Sequence, residues 1–326
     1  MHLDFYDDLK ARQLVWARSQ GIADGKTEAD RARPWVLKPE FRELNLFSPS
    51  WWSLIAGKEH RWSRALTSSQ CFGVNLFAPL ALDRALARQV LPKLLPERAL
   101  ATTDAVEVAL EFTPPNGPKW LGERRQQPTQ VDAAFIVRRH GGPIGYLLVE
   151  VKLGERGFGA CRGASKPRSD APGNPDPDRC RSLARILAEP ERQCWLAEAQ
   201  GRHYWRYMSE KGGPFRFDRL PPDAACPFSG GLYQLMRNRV LADALVREGG
   251  AAWADVALCV HPANDAVDLL DEAVGGTSSA LAAFRSLLRS KDGLLDLTPQ
   301  ALIDAVVAAS PPLGAWAHWV RDRYQL

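Results

Sequence analysis

The chain predicts a mixed α/β fold: a central sheet flanked by helices, with helical extensions at both ends. Three observations carry this. A long apolar helix signal at 68–96 precedes a run of strand signals, beginning at 101–115. Two more strands fold on each other within 130–154, around a Gly141-Gly142-Pro143 turn. A second helix, 231–250, then leads into a further apolar strand, 253–262. Strands in succession followed by a helix and another strand describe a mixed sheet that helices must cover.

Taken in order, residues 1–66 are rich in tryptophan, with Trp16, Trp35, Trp51, Trp52 and Trp62, and are interrupted by Pro34, Pro39 and Pro49. Short helices at about 4–20 and 39–46, packed by these aromatics, read as an N-terminal cap; a base-stacking surface is the alternative. The core, 67–262, opens with Leu82, Leu86, Val90 and Leu94 at near-helical spacing, in a helix broken at Pro79 and ended by Pro92 and Pro96. In the strand at 101–115, Glu107, Ala109 and Glu111 alternate with Val108, Leu110 and Phe112.

The hairpin at 130–154 carries charge where a core strand should not. Asp132 opens the run AAFIV, and Glu150 and Lys152 lie inside IGYLLVEVKL, on the face opposite Val149 and Val151. Charge on a strand buried from both sides is costly unless it is paired or binds a cation. Folding at the glycines brings Asp132 level with Glu150, so two carboxylates and an ammonium converge. That set suits phosphodiester hydrolysis. Asp132 and Glu150 hold Mg²⁺ or Mn²⁺, and Lys152 orients or deprotonates the attacking water or offsets transition-state charge. The alternative is an amphipathic edge hairpin whose charges are merely solvated.

Residues 154–230 form an irregular insertion dense in Gly, Pro, Arg and Asp. Between 155 and 217 stand twelve Lys and Arg against eight Asp and Glu, a local excess equal to the +4 of the whole chain. Arg162, Arg168, Arg179 and Arg181 accordingly read as contacts to a nucleic-acid backbone, or else as a solvated surface. Cys161, Cys180, Cys194 and Cys226 also lie here. They are either ligands of a zinc or iron–sulfur centre that staples the insertion or four ordinary thiols, since no C-x-x-C pair is present. Cys71 and Cys259 read as core residues.

The helix 231–250 buries Leu232, Leu235, Met236, Val240 and Leu245 and stops at Gly249-Gly250. Gln234 and Arg237 project together one turn apart. Residues 263–326 make a C-terminal helical extension, with Leu281, Phe284, Leu287, Leu288, Leu302, Val306, Trp316 and Trp319 as its packing residues.

Composition bounds the rest. At 326 residues, 45% hydrophobic and 25% charged, the chain has material for a large core. A pI near 8.7 permits nucleic-acid binding without demanding it. No apolar run is long enough to span a membrane and the start MHLDFYDDLK lacks a signal pattern, so the expected location is the cytoplasm. Six cysteines in that setting are reduced thiols or metal ligands. Internal repeats, a Walker loop, an HEXXH zinc motif and a G-x-S-x-G elbow are all missing, which argues against those enzyme classes.

Val131-Asp132 on one strand and Glu150-Val151-Lys152 on the next resemble the PD-(D/E)xK nuclease superfamily, with valine in place of the name's proline. The order helix, strand, Asp132 strand, Glu150-x-Lys152 strand resembles its α-β-β-β core. YQLMRN at 233–238 looks like the following helix in prokaryotic restriction-endonuclease-like members. The resemblance covers about 68–262, with the insertion unmatched. It implies a restriction-endonuclease-like core and Mg²⁺-dependent cleavage of DNA, in restriction, defence or repair. It further implies Glu111 as an additional acidic ligand, unless Glu111 pairs with an arginine such as Arg124. Gln70 stands where members often place an acid; Gln234 would orient a water or phosphate, and Arg237 would clamp the scissile phosphate. An RNA-cleaving member and a non-catalytic nucleic-acid-binding protein are the alternatives, and a homodimer is compatible with either.

Overall fold

A five-stranded mixed sheet forms the centre, its strands lying side by side in chain order: β1 (Ala105–Phe112), β2 (Val131–Arg139), β3 (Gly142–Lys152), β4 (Trp253–Val260) and β5 (Leu295–Asp296). β1, β2 and β3 are antiparallel neighbours, whereas β4 runs parallel to β3 and β5 parallel to β4. The computed structural model describes residues 5–22, 24–98, 100, 104–124, 126–139, 142–167, 173–209, 212–290 and 293–326. The longer helices are α1 (Phe5–Ser19), α2 (Ser69–Leu82), α3 (Arg84–Leu94), α4 (Tyr233–Arg247), α5 (Ala280–Leu287), α6 (Pro299–Ala309) and α7 (Gly314–Tyr324).

Both faces of the sheet are covered, which is why its central strands read as nearly continuous apolar runs. Ala133, Phe135, Val137, Leu147, Val149 and Val151 pack into one core with residues of α2, α3, α6 and α7. Ala134, Ile136, Tyr146 and Leu148 turn to the other core, shared with α4 and α5. A parallel partner for β3 needs a crossover, and α4 makes it between β3 and β4.

Several expectations change in detail. The helix at 68–96 is two helices that meet at Asp83, not one broken at Pro79. The Asp83 carboxylate accepts from Ala85 N and Leu86 N at 2.9 and 3.0 Å and so caps α3. Pro79 stays inside α2. Its missing N–H frees the carbonyl of Asn75, which accepts instead from Trp316 Nε1 at 2.7 Å. In the first 66 residues a two-strand ribbon, Thr27–Glu28 with Arg33–Leu37, accompanies α1, and the segment expected as a helix near 39–46 is a 3-10 turn, Pro39–Asn45. Trp16, Trp51 and Trp52 are buried. Trp16 meets Trp319 of α7 edge to face at 5.4 Å, so the two ends of the chain pack on each other. The segment after 262 is more than helical: it also supplies β5.

Phe112 also departs from simple alternation. It stacks on Tyr146, away from the core that holds Val108 and Leu110. The cause is Glu111, a non-glycine residue with φ 49°, whose left-handed backbone rotates the end of β1.

Candidate active site

Register places three acids in a row. Leu110 pairs with Ala133 and Ala133 with Val149, so Glu111, Asp132 and Glu150 follow one another across β1, β2 and β3. Val151 N–H donates to Asp132 Oδ2 at 2.6 Å, which locks the second acid against the strand carrying the third. Asp132 is held well above the usual carboxylate range, first by burial and then by the charge of Glu150, with Glu111 adding to it.

Lys152 completes the set. Its Nζ lies 2.9 Å from Glu150 Oε1 and donates to Gln234 Oε1 at 2.7 Å. Burial works against the ammonium charge, yet the carboxylates of Glu150, Glu155 and Asp132 outweigh it and raise the lysine above its ordinary value. Glu150 and Lys152 are both buried, as the sequence demanded of charges that have found partners. From α4, Asn238 Nδ2 donates to Glu150 Oε2 at 2.7 Å. Both oxygens of Glu150 are therefore engaged.

Glu111 does not bond Arg124. Its Oε1 accepts from Gln70 Nε2 at 2.7 Å, and its Oε2 lies 3.5 Å from His60 Nε2. The hydrogen bond to Glu111 raises the His60 imidazole despite its partial burial. Lys58 Nζ and Gln130 Nε2 donate to the Glu111 carbonyl at 3.1 and 3.0 Å, holding the strained backbone in place. Gln70, at the start of α2, is thus brought to the acids as an amide donor that steers one of them.

The helix pair facing the acids is Gln234 and Asn238, four residues apart, not Gln234 and Arg237. Arg237 is committed elsewhere: its Nε donates to Thr129 Oγ1 at 3.0 Å and its Nη2 lies 3.3 Å from the buried Glu123. Tyr204 OH donates to the same Glu123 oxygen at 2.6 Å. Arg237 still lines a cleft of about 320 Å³, together with Arg162, Arg202, Trp195, Tyr204 and Tyr233. Of the other arginines, Arg179 pairs with Glu198 and Asp176, and Arg181 with Asp178 at 3.0 Å. Arg168 lies outside the described residues.

Sequence reasoning missed Asn238, Glu155 and His60. Asn238 had a signal, being a polar residue one turn from Gln234 on a buried helix face. Glu155 sits just past β3 and accepts from Leu153 N and Gly154 N at 2.9 and 3.1 Å. His60 comes from a loop with no local pattern to connect it to the hairpin.

The donor chemistry suits a hard cation, since Asp132, Glu150 and Glu111 present carboxylate oxygens to one region of the sheet. Among the described residues no three acidic, histidine or cysteine side chains stand close enough together to hold an ion by themselves. Mg²⁺ needs no such cage, because it keeps waters and takes phosphate oxygens. Cys71 and Cys259 are buried in the core, as expected. The four insertion cysteines lie apart from the acids, and burial pushes the thiols of Cys161 and Cys180 up to about 12 and about 11. Among the described residues, no helix is long and apolar enough to cross a membrane.

No curated protein and no solved structure matches the chain. A family model described as restriction endonuclease associating with ARP matches residues 51–325, and the chain belongs to that family.

Proposed function

We propose that the chain is a metal-dependent nuclease of the PD-(D/E)xK type, with a restriction-endonuclease-like core, that hydrolyses phosphodiester bonds in DNA. One observation carries the reading: Asp132, Glu150 and Lys152 converge on one buried face of two neighbouring inner strands, with Lys152 bonded to Glu150 and Gln234. Family membership supports a nuclease, and the family's description as restriction endonucleases favours DNA over RNA.

Asp132 and Glu150 would hold Mg²⁺ or Mn²⁺, with Glu111 as a third acid near them. When bound, the ion supplies charge neutralisation at the phosphate and a lower pKa for water. The chain's own residues do the positioning. Asn238 fixes one oxygen of Glu150 and Gln70 one oxygen of Glu111, so the two acids face the phosphate without searching rotamers. Lys152 acts as a cation, held by Glu150 Oε1 and Gln234 Oε1, and orients the attacking water while offsetting charge on phosphorus. A water oxygen bonds to phosphorus as the opposite P–O ester bond breaks; the water loses a proton to solvent and the departing oxygen gains one. Arg162, Arg202 and Arg237 at the neighbouring cleft offer the backbone a positively charged path. Restriction or defence against foreign DNA fits this set, and repair is compatible with it.

Plasmid cleavage with and without a chelator tests the reading. Asp132→Ala, Glu150→Ala and Lys152→Ala should each cut at least about 10²-fold slower while melting as folded proteins. Chelator-resistant cutting, or full activity in Lys152→Ala, overturns it. RNA of matched length, offered in parallel, decides the polymer.

A further inference from the structure

The insertion between Gly154 and Tyr233 has little regular structure of its own: its described helices run four to six residues. Cys161, Cys180, Cys194 and Cys226 come from four separate pieces of it, and the fold gathers them. A Cβ added at Gly163 would lie 3.3 Å from Cys161 Sγ and 4.0 Å from Cys180 Sγ, so both sulfurs flank that glycine. Cys226 N–H donates to the Cys180 carbonyl at 2.7 Å. Each of the four is within electrostatic reach of the other three. Sequence separations of up to 65 residues make such a gathering of all four an unusual outcome for thiols with no common task.

A second observation is independent of the gathering. Gly163 N–H, two residues after Cys161, donates to Cys161 Sγ at 3.3 Å. Backbone N–H groups aimed at sulfur favour a thiolate and orient it, as outer partners do for metal ligands. Glycine at 163 gives the Cys161 loop the tight turn that such a donor needs.

We infer that Cys161, Cys180, Cys194 and Cys226 together hold one thiophilic metal centre, a zinc ion or an iron–sulfur cluster. Four thiols lose four protons and four sulfur–metal bonds form, with no change of oxidation state at sulfur. As they stand, no three of these sulfurs are close enough together to hold an ion, so binding would draw the four pieces inward. The centre would act on the neighbouring site through backbone. Cys161 N–H donates to Ser229 O, Gln234 N–H to Phe158 O and Tyr233 N–H to Gly159 O, at 3.2, 2.8 and 3.3 Å. These bonds tie the cysteine loops to the first turn of α4, which carries Gln234. The inference does not depend on the nuclease reading, because its readout is bound metal.

The full-length protein, purified without chelator or metal-affinity tag, should carry about one zinc per chain, or iron with matching sulfide and a brown colour. Elemental analysis and the visible spectrum distinguish the two. Cys161→Ser, Cys180→Ser, Cys194→Ser and Cys226→Ser should each lose that metal, while Cys71→Ser and Cys259→Ser keep it. If the serine variants fail to fold, Co²⁺ exchanged into the wild-type chain gives the decisive reading: intense sulfur-to-cobalt charge transfer of a four-thiolate site. Folded wild-type protein that is free of metal and gives no such cobalt spectrum overturns the inference, as does metal retained in all four variants.

Discussion

Asn238→Ala tests whether Glu150 is held from α4. In the wild type the amide donates to Glu150 Oε2 at 2.7 Å, and both residues are about 1% exposed, so no solvent is at hand to replace the bond. A hydrogen bond to a charged group contributes about 1.5–3 kcal/mol, and removing the donor leaves the carboxylate oxygen orphaned. Unfolding entropy of about 2.1 cal/mol/K per residue gives roughly 0.7 kcal/mol/K for a chain of this length. The melting temperature should therefore fall by about 2–4 °C, measured by calorimetry in a chelator so that only the chain's own bonds are read. Cleavage should suffer more than folding. A carboxylate free to move by an ångström loses its alignment with the phosphate, and a misplacement of that size lowers the rate by about 10²-fold. An unchanged melting temperature and an unchanged rate would together refute the claim that Asn238 positions Glu150.

Three other outcomes follow from the same structure. Glu28 is bonded by Arg64 at 2.9 Å and approached by Arg33 at 2.9 Å; the Arg64 bond in particular depresses its carboxyl below the ordinary value. A depressed folded pKa means stability that is present above the unfolded value of about 4.3 and lost as pH falls through the folded one. Glu28→Gln should therefore melt lower than wild type at pH 7, with the gap closing below about pH 4. Among the described residues no carboxylate lies within bonding distance of the buried Arg323, which donates to the carbonyl of Asn45 at 2.9 Å beneath the Trp16 ring at 4.3 Å. Arg323→Met should cost about 3 kcal/mol in a urea titration, because Asn45 Oδ1 and the Leu66 carbonyl lose the donor that Arg323 supplies; a loss under about 1 kcal/mol would contradict that. Arg162 stands at the arginine-lined cleft, whereas Arg181 is paired with Asp178. Arg162→Gln should lower the slope of log affinity for a DNA duplex against log salt by about 0.9 and Arg181→Gln by less, and equal slopes would remove the cleft from the binding path.

Part of this site was legible in the sequence because burial and charge conflict there. Asp132, Glu150 and Lys152 interrupt apolar runs, and an interrupted run that still forms a central strand has a reason for its charge. The longer strands themselves could be read, because apolar character over eight or more residues is a strong signal, as in 131–139 and 253–260. What escaped was set by tertiary contact. Two residues, Leu295 and Asp296, are too few to display alternation, so β5 was invisible. Nothing in the residue type of Glu111 announces φ 49°, and a β1 read as regular sent Phe112 to the wrong face. Arg237 reads as the partner of Gln234 at i,i+3, whereas the structure pairs Gln234 with Asn238 at the acids. On a helix the i,i+4 position carries the shared face as well as i,i+3 does, and only the buried Glu123 shows where Arg237 goes.

The insertion and the site are coupled by how the chain leaves and re-enters the sheet. β3 ends at Lys152, and after some eighty residues the chain returns as α4, whose Gln234 bonds that same lysine. A loop of that length would leave helix and strand free to drift, since closure entropy grows only slowly with length and does nothing to fix orientation. Orientation comes from the loop's two ends. Phe158 N–H donates to Gly231 O at 3.2 Å and Phe158 O accepts from Gln234 N at 2.8 Å, so departing and returning strands of chain are stitched within a few residues of the acids. Gly231 permits this approach: its φ is 82°, and a Cβ there would meet Leu270 at 2.5 Å. The geometry of the candidate site is therefore closed by the two ends of the insertion.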